Sequence, residues 1–160
     1  MTPTIAPAAR RSIAEIRMID ATNGWAWSNG VEGQYLLLRT TDGGQTWRDV
    51  TPRAFPYLEG GGWFGSHVDV VSLKDVFVRG GPNLYVTHDG ARSWRTIKPN
   101  LDLGLECSKW DVSRMDFVDA THGWIVISDN RTFAPFGNYP LFKTSDGGST
   151  WTELPLKIVP

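Results

Sequence analysis

The 160-residue sequence predicts an all-β protein made of three repeated four-stranded units. An eight-residue box occurs three times, with Thr first, Asp third, Gly or Ala fifth, Ser or Thr seventh and Trp last. The copies run from Thr40 to Trp47, from Thr87 to Trp94 and from Thr144 to Trp151. They return after roughly 50 residues, a period typical of solenoids, propellers and other repeat arrays.

Each box has the chemistry of a hairpin turn between two strands. Short apolar runs precede it at 35–38, 84–86 and 139–142, and strand-like runs follow each tryptophan. The Asp-Gly step tolerates positive φ, and the Asp carboxylate can accept nearby backbone N–H groups and hold the turn closed. Ala91 stands where the other copies have glycine. If this position is left-handed, the Ala91 Cβ costs about 1–2 kcal/mol.

A second repeated element lies upstream of the first and third boxes. The segment from Asp20 to Trp25 matches that from Asp119 to Trp124 at five of six positions, and a degenerate copy occupies residues 70–77. It predicts a tight turn between two further strands. The unit is therefore strand A, a tight turn, strand B, a variable loop, strand C, the box and strand D.

Four antiparallel strands repeated in this way describe the blade of a β-propeller. We expect blades at about 12–53, 67–99 and 110–155, a disordered leader or linker at 1–11 and a short tail at 156–160. Propellers close with four to eight blades, whereas three are present here. The chain is therefore expected to be a partial propeller. Either it is a piece of a longer one, which we favour, or copies associate to complete the ring.

The boxes resemble the Asp-boxes, or BNR repeats, of sialidase-like propellers. Together with the Asp20–Trp25 and Asp119–Trp124 motifs they are most similar to the photosynthesis system II assembly factor-like family. The resemblance extends over nearly all of residues 12–155. It implies a propeller, and because Asp-boxes occur in sialidases, assembly factors, sorting receptors and secreted proteins, it implies no single activity. It favours an extracytoplasmic location, although the sequence shows no signal peptide.

Composition and charge exclude some functions. A net charge of −1 and a pI near 6.3 argue against a nucleic-acid partner. No apolar run is long enough to insert into a membrane. Cys107 is the single cysteine, so it forms no disulfide within the chain and leaves the redox compartment open.

In a four-stranded antiparallel blade, the A–B and C–D turns lie at one end, and the B–C loops and D–A connections lie at the other. The tight turns and the boxes are therefore expected at the first end. The long insertions at 54–66, 100–109 and 128–138 are expected at the second, the long-loop end, with the loops at 28–34 and 79–83. Variable loops on a rigid scaffold commonly carry recognition. The predicted ligand-binding residues are Tyr57, Glu59, Trp63, Phe64, Asp129, Arg131, Phe133 and Phe136. The alternative is that these aromatic side chains pack on neighbouring loops.

Catalytic and metal sites are weakly supported. A sialidase needs three arginines, a tyrosine–glutamate pair and an acidic residue. The candidates are Arg17, Arg79, Arg114, Arg131, Tyr57, Glu59 and Asp129. None lies in a motif that matches a sialidase. His67, Asp69, His88 and His122 lack metal-ligand spacing, and no cofactor fingerprint is present. We therefore expect no catalytic, metal or cofactor residues.

The box residues are predicted to be structural. Asp42, Asp89 and Asp146 should hold their turns, and Trp47, Trp94 and Trp151 should be largely buried between blades. The leading functional hypothesis is a non-enzymatic binding or assembly module that recognises a protein or glycan through its long-loop end. The alternative is a sialidase-like glycoside hydrolase, or a fragment of one.

Overall fold

The computed structural model describes residues 12–29, 35–53, 55, 68–103, 110–129 and 139–159. Within these ranges it contains twelve strands and no helix. The strands are β1 (Ser12–Met18), β2 (Gly24–Asn29), β3 (Tyr35–Thr40), β4 (Arg48–Asp49), β5 (Val68–Val70), β6 (Val76–Gly80), β7 (Asn83–Thr87), β8 (Arg95–Ile97), β9 (Trp110–Phe117), β10 (Gly123–Asp129), β11 (Leu141–Thr144) and β12 (Thr152–Leu154).

The strands form three four-stranded antiparallel sheets, in the orders β1-β2-β3-β4, β5-β6-β7-β8 and β9-β10-β11-β12. In every sheet each strand pairs with the next along the chain, as in a propeller blade. This confirms the predicted fold class. The chain divides into two compact units, the first with the first sheet and the second with the other two.

The first sheet has buried residues on both faces, and the two buried tryptophans lie on one of them. Trp25 and Trp27 alternate along β2 and are buried, and Leu37 lies opposite Trp27 on β3. Arg39 lies opposite Trp25 and places its guanidinium 5.4 Å from the centroid of that ring. Tyr35 stacks on Trp27 with ring centroids 6.2 Å apart. Cross-strand neighbours therefore pack against one another on the tryptophan-bearing face of this sheet.

The second unit buries a cluster that both of its sheets share. At its centre the rings of Phe77 and Phe117 stack with centroids 3.6 Å apart, and Trp151 meets Phe117 edge-on at 5.9 Å. The other members of the cluster are Leu84, Val86, Ile97, Leu103, Val112, Met115, Ile125 and Ile127. The second and third sheets thus pack face to face through alternating apolar side chains.

Candidate functional site

The tight turns and the boxes lie at the same end of each sheet. In all three sheets the first glycine of the box donates its N–H to a carbonyl of the tight turn. The bonds are Gly43 N to Thr22 O at 2.8 Å, Gly90 N to Lys74 O at 3.0 Å and Gly147 N to Thr121 O at 2.8 Å. Strand parity then assigns the B–C loops and the connections between sheets to the opposite end, which we call the long-loop end.

A carboxylate and a hydroxyl close each box. In the first, the Thr40 hydroxyl donates to Asp42 at 2.8 Å and accepts the N–H of Gly44 at 2.9 Å. Asp42 also accepts the N–H of Thr46 at 2.9 Å and its hydroxyl at 2.6 Å. The same four bonds recur in the other boxes through Thr87, Asp89, Ala91 and Ser93, and through Thr144, Asp146, Gly148 and Thr150.

These bonds keep the box carboxylates ionised. The hydroxyl and then the N–H of Thr46 lower the pKa of Asp42 from 3.8 to about 2. Ser93 and Thr150 lower the pKa values of Asp89 and Asp146 in the same way. A general acid at neutral pH needs a raised pKa, so these groups have the opposite character. Each of these carboxylates bonds groups of its own box.

Each tight turn is also closed by a side-chain oxygen that accepts backbone N–H groups, and in the second sheet a serine replaces the aspartate. Asp20 accepts the N–H groups of Thr22 and Asn23, which lower its pKa to about 2. Asp119 accepts the equivalent N–H groups of its own turn, and its pKa is likewise lowered. In the second sheet the hydroxyl of Ser72 accepts two N–H groups in place of a carboxylate. The degenerate motif therefore forms an equivalent turn.

The box tryptophans are not equally buried. Trp151 is 5% exposed and donates its indole N–H to Gly148 O at 3.0 Å. Trp47 and Trp94 are only half-buried, so the expectation that all three are largely buried holds for Trp151 alone. Trp151 lies against the shared core of the second unit, where Phe117 flanks its ring. Burial at this position thus depends on the packing around each box.

The predicted ligand-binding residues are expected at the long-loop end. Tyr57, Glu59, Trp63, Phe64, Arg131, Phe133 and Phe136 lie outside the described residues, and so does the side chain of Asp129, whose backbone ends β10. Their arrangement stays a prediction. In the sequence, the first four of these residues lie between β4 and β5, and the other four lie at or after the end of β10.

Two contacts brace the long-loop end of the second sheet. The buried Arg79, on β6, donates from Nη1 to Leu103 O at 2.5 Å and so ties the connection after β8 to the sheet. Phe55 meets Tyr85 edge-on at 5.3 Å. Burial raises the pKa of Tyr85, although a bond with Asn83 opposes it. From the sequence, Arg79 is only a candidate carboxylate ligand. Its bond to Leu103, which lies 24 residues further along the chain, cannot be inferred from the residues around Arg79.

The remaining sialidase and metal candidates have separate environments. Arg17 and Arg114 are exposed on β1 and β9. His88 Nδ1 lies 2.9 Å from Asp75, and His122 Nδ1 lies 2.9 Å from Asp119. Across the described ranges no three His, Cys, Asp or Glu side chains are grouped to hold a metal ion. Asp69 accepts the N–H of Phe117. His67 and Cys107 lie outside the described residues.

No helix in the described part of the chain is long and apolar enough to span a membrane. Comparison with protein-family models finds no match, and comparison with curated proteins finds none either.

A solved structure described as YCF48 bound to D1 peptide is similar to this chain, with a TM-score of 0.53 and 24% sequence identity. The similarity covers 89% of this chain and 39% of that one, so this chain spans well under half the length of its structural relative. YCF48 is a β-propeller. The likeness and the three sheets together show that this chain is an all-β protein built of propeller blades.

Proposed function

We propose that this protein is a non-enzymatic propeller module that binds a peptide segment of a partner protein at its long-loop end. The observation that carries the proposal is the difference between the two ends of the sheets. At the box end each of the three carboxylates is bonded within its own turn. The insertions that strand parity assigns to the long-loop end follow no repeat, and their sequences contain aromatic and charged residues.

The structural relative supports a peptide as the ligand, because that propeller is described with a peptide bound. An extended peptide offers apolar side chains and unpaired backbone groups, which aromatic platforms with a few charged residues can recognise. We assign these roles to the two insertions at 54–66 and 128–138. In the first, Trp63 and Phe64 supply apolar surface. In the second, Asp129 and Arg131 supply opposite charges.

The braces described above support such a site physically. The Arg79–Leu103 bond fixes the start of the connection that follows β8. Phe55, in the segment that follows β4, packs its ring edge-on against Tyr85. Loops anchored at their bases lose less conformational freedom on binding, which favours affinity. A glycan is the alternative ligand for the same aromatic surface.

The test is a binding screen of the full chain against a peptide library and a glycan array. Peptide hits are then measured with variants in which 54–66 or 128–138 is replaced by a Gly/Ser linker of equal length. We expect each replacement to weaken binding by at least about tenfold, or 1.4 kcal/mol. The matched control is Gln45→Ser with Arg92→Ser at the box end, which should bind as the original chain does.

Peptide binding that survives both replacements contradicts the assignment to the long-loop end. Binding to glycans alone favours the alternative ligand. Turnover of a fluorogenic sialoside by the purified chain contradicts the non-enzymatic proposal and supports the sialidase-like alternative. Unchanged thermal melting of the loop variants is required, so that a lost signal reports binding and not unfolding.

A further inference from the structure

The first strand carries a row of exposed apolar side chains. Ile13 is 44% exposed, Ile16 55% and Met18 39%. The pairing of β1 with β2 skips Ala14, and the pairing of β9 with β10 skips Ser113, so both strands have a bulge at the same distance from the shared turn motif. β1 and β9 are therefore equivalent residue by residue. We call Ile13, Ile16 and Met18 the leading face.

The equivalent side chains of β9 are buried. They are Val112, Met115 and Phe117, and the second sheet covers them. The Phe77 ring stacks on Phe117, and the Asp69 carboxylate accepts the main-chain N–H of Phe117. The face that is exposed on the first sheet is thus, on the third sheet, the face that contacts the sheet before it.

The third sheet in turn repeats the covering residues of the second. Its residues Asp116, Trp124, Leu141 and Leu154 occupy the positions that Asp69, Phe77, Leu84 and Ile97 have in the second sheet. Asp116 is exposed and the other three are half-buried. We call these four residues the trailing face. Lys143 departs from the pattern, because the second sheet has a valine there. Its ammonium lies 5.5 Å from the Trp124 ring centroid, and its stem covers apolar surface.

We propose that the leading face of one copy of this chain docks on the trailing face of a second copy. The contact would repeat the one between the second and third sheets, with the Trp124 ring against Met18 and the Asp116 carboxylate accepting the Met18 N–H. A methionine on an aromatic ring is a favourable partner. The proposal concerns a different surface from the proposed peptide site and does not depend on it.

The occupant is a second copy because the chain itself carries both halves of the contact. Such an interface joins two different surfaces, so it repeats head to tail and can close into a ring. Two copies bring six of the described four-stranded sheets, and closed propellers have four to eight blades. An exposed apolar face of this kind is otherwise a liability for a soluble protein.

Sedimentation velocity of the full chain tests the proposal, with Ile16→Glu on the leading face and Trp124→Glu on the trailing face. We expect the original chain to sediment at twice the mass of 17.8 kDa and each variant alone to sediment as a monomer. Val118→Glu is the matched control, since Val118 is an exposed apolar residue outside both faces. This variant should remain a dimer. Melting curves confirm that each variant is folded.

Mixing the two variants distinguishes a head-to-tail contact from any other. The Ile16→Glu copy keeps its trailing face and the Trp124→Glu copy keeps its leading face, so one intact contact can form between them. We expect the mixture to dimerise, at a concentration at least about tenfold higher than the original chain needs because a single contact remains. A monomeric original chain overturns the proposal, as does a mixture that stays monomeric or a dimer that persists in either variant alone.

Discussion

Asn100 holds the backbone of Trp151 from both sides. Its Oδ1 accepts the Trp151 N–H at 2.8 Å, and its Nδ2 donates to Trp151 O at 3.4 Å. The N–H of Asn100 also donates to Ser149 O at 3.2 Å. The two residues are 51 positions apart, so this contact joins the end of the second sheet to the third box. It links the sheets by hydrogen bonds next to their shared apolar core.

Asn100→Ala should therefore lower the free energy of unfolding by about 1–3 kcal/mol, because the Trp151 N–H loses its acceptor. Urea unfolding followed by tryptophan fluorescence measures the loss. Lys98→Ala, at an exposed position nearby, serves as the control and should change stability by less than about 0.5 kcal/mol. Equal midpoints for the Asn100 variant and the original chain would show that the linkage is not stabilising.

Replacing the box tryptophans should have unequal effects. Trp151→Ala should cost about 3–5 kcal/mol, the range for a core aromatic, because Trp151 is buried in the shared cluster. Trp47→Ala and Trp94→Ala should cost less, since both rings are half-buried and lose less apolar contact. Denaturant unfolding of the three variants gives the order. Three equal losses would contradict the assignment by burial.

Ala91 is a stabilisation site. Its φ of 67° is left-handed, like the φ of 86° at Gly44 and 91° at Gly148 in the other boxes. Ala91→Gly removes the Cβ strain of about 1–2 kcal/mol at the cost of some chain entropy, so a net gain of about 0.5–1 kcal/mol is expected. The reverse change, Gly44→Ala, should lose stability. Thermal melting decides the sign, and a lower midpoint for Ala91→Gly would contradict it.

The glycine that ends each Asp-containing tight turn should differ in tolerance between the sheets. A Cβ at Gly123 would lie 2.5 Å from the Phe117 ring, which is held between Phe77 and Trp151. Gly123→Ala should therefore cost about 1–3 kcal/mol through overpacking. At Gly24 the Cβ would meet the flexible end of Met18, which can move, so Gly24→Ala is the milder control. Comparable losses in urea would contradict this difference.

The turn carboxylates predict acid sensitivity. The pKa values of Asp20 and Asp42 fall from 3.8 to about 2 in the folded chain. Below pH 4 the unfolded chain takes up protons that these folded carboxylates do not, so folding loses stability as pH falls. The contribution is fully present above about pH 5 and is lost between about pH 4 and 2.

Thermal melting between pH 7 and 2 measures this dependence. Asp42→Asn should melt at a lower temperature at pH 7, because the amide binds the Thr46 groups less well, and its midpoint should fall less steeply with acid. An Asp42→Asn chain with the same acid slope as the original would show that this carboxylate is not responsible. Asp49→Asn, an exposed aspartate outside the boxes, is the control.

The long-loop ligand residues remain a prediction, and the reason is physical. Boxes and tight turns repeat because each must satisfy the same few backbone groups, so three copies reveal them in one sequence. The insertions at 54–66 and 128–138 have no such common constraint. Their residue types suggest recognition, but neither their shape nor their ligand follows from spacing. Arg79 illustrates the limit, since its partner Leu103 is 24 residues away.

The sequence alone determined the all-β class, the strand order within each sheet and the internal bonds of the boxes. These features depend on contacts between residues close in the chain, such as Thr40 with Asp42 and Asp42 with Thr46. Only the tertiary structure decided which of the repeated residues are buried. Trp151 and Trp47 occupy the same place in identical turns, yet differ in exposure because burial depends on what packs against each turn.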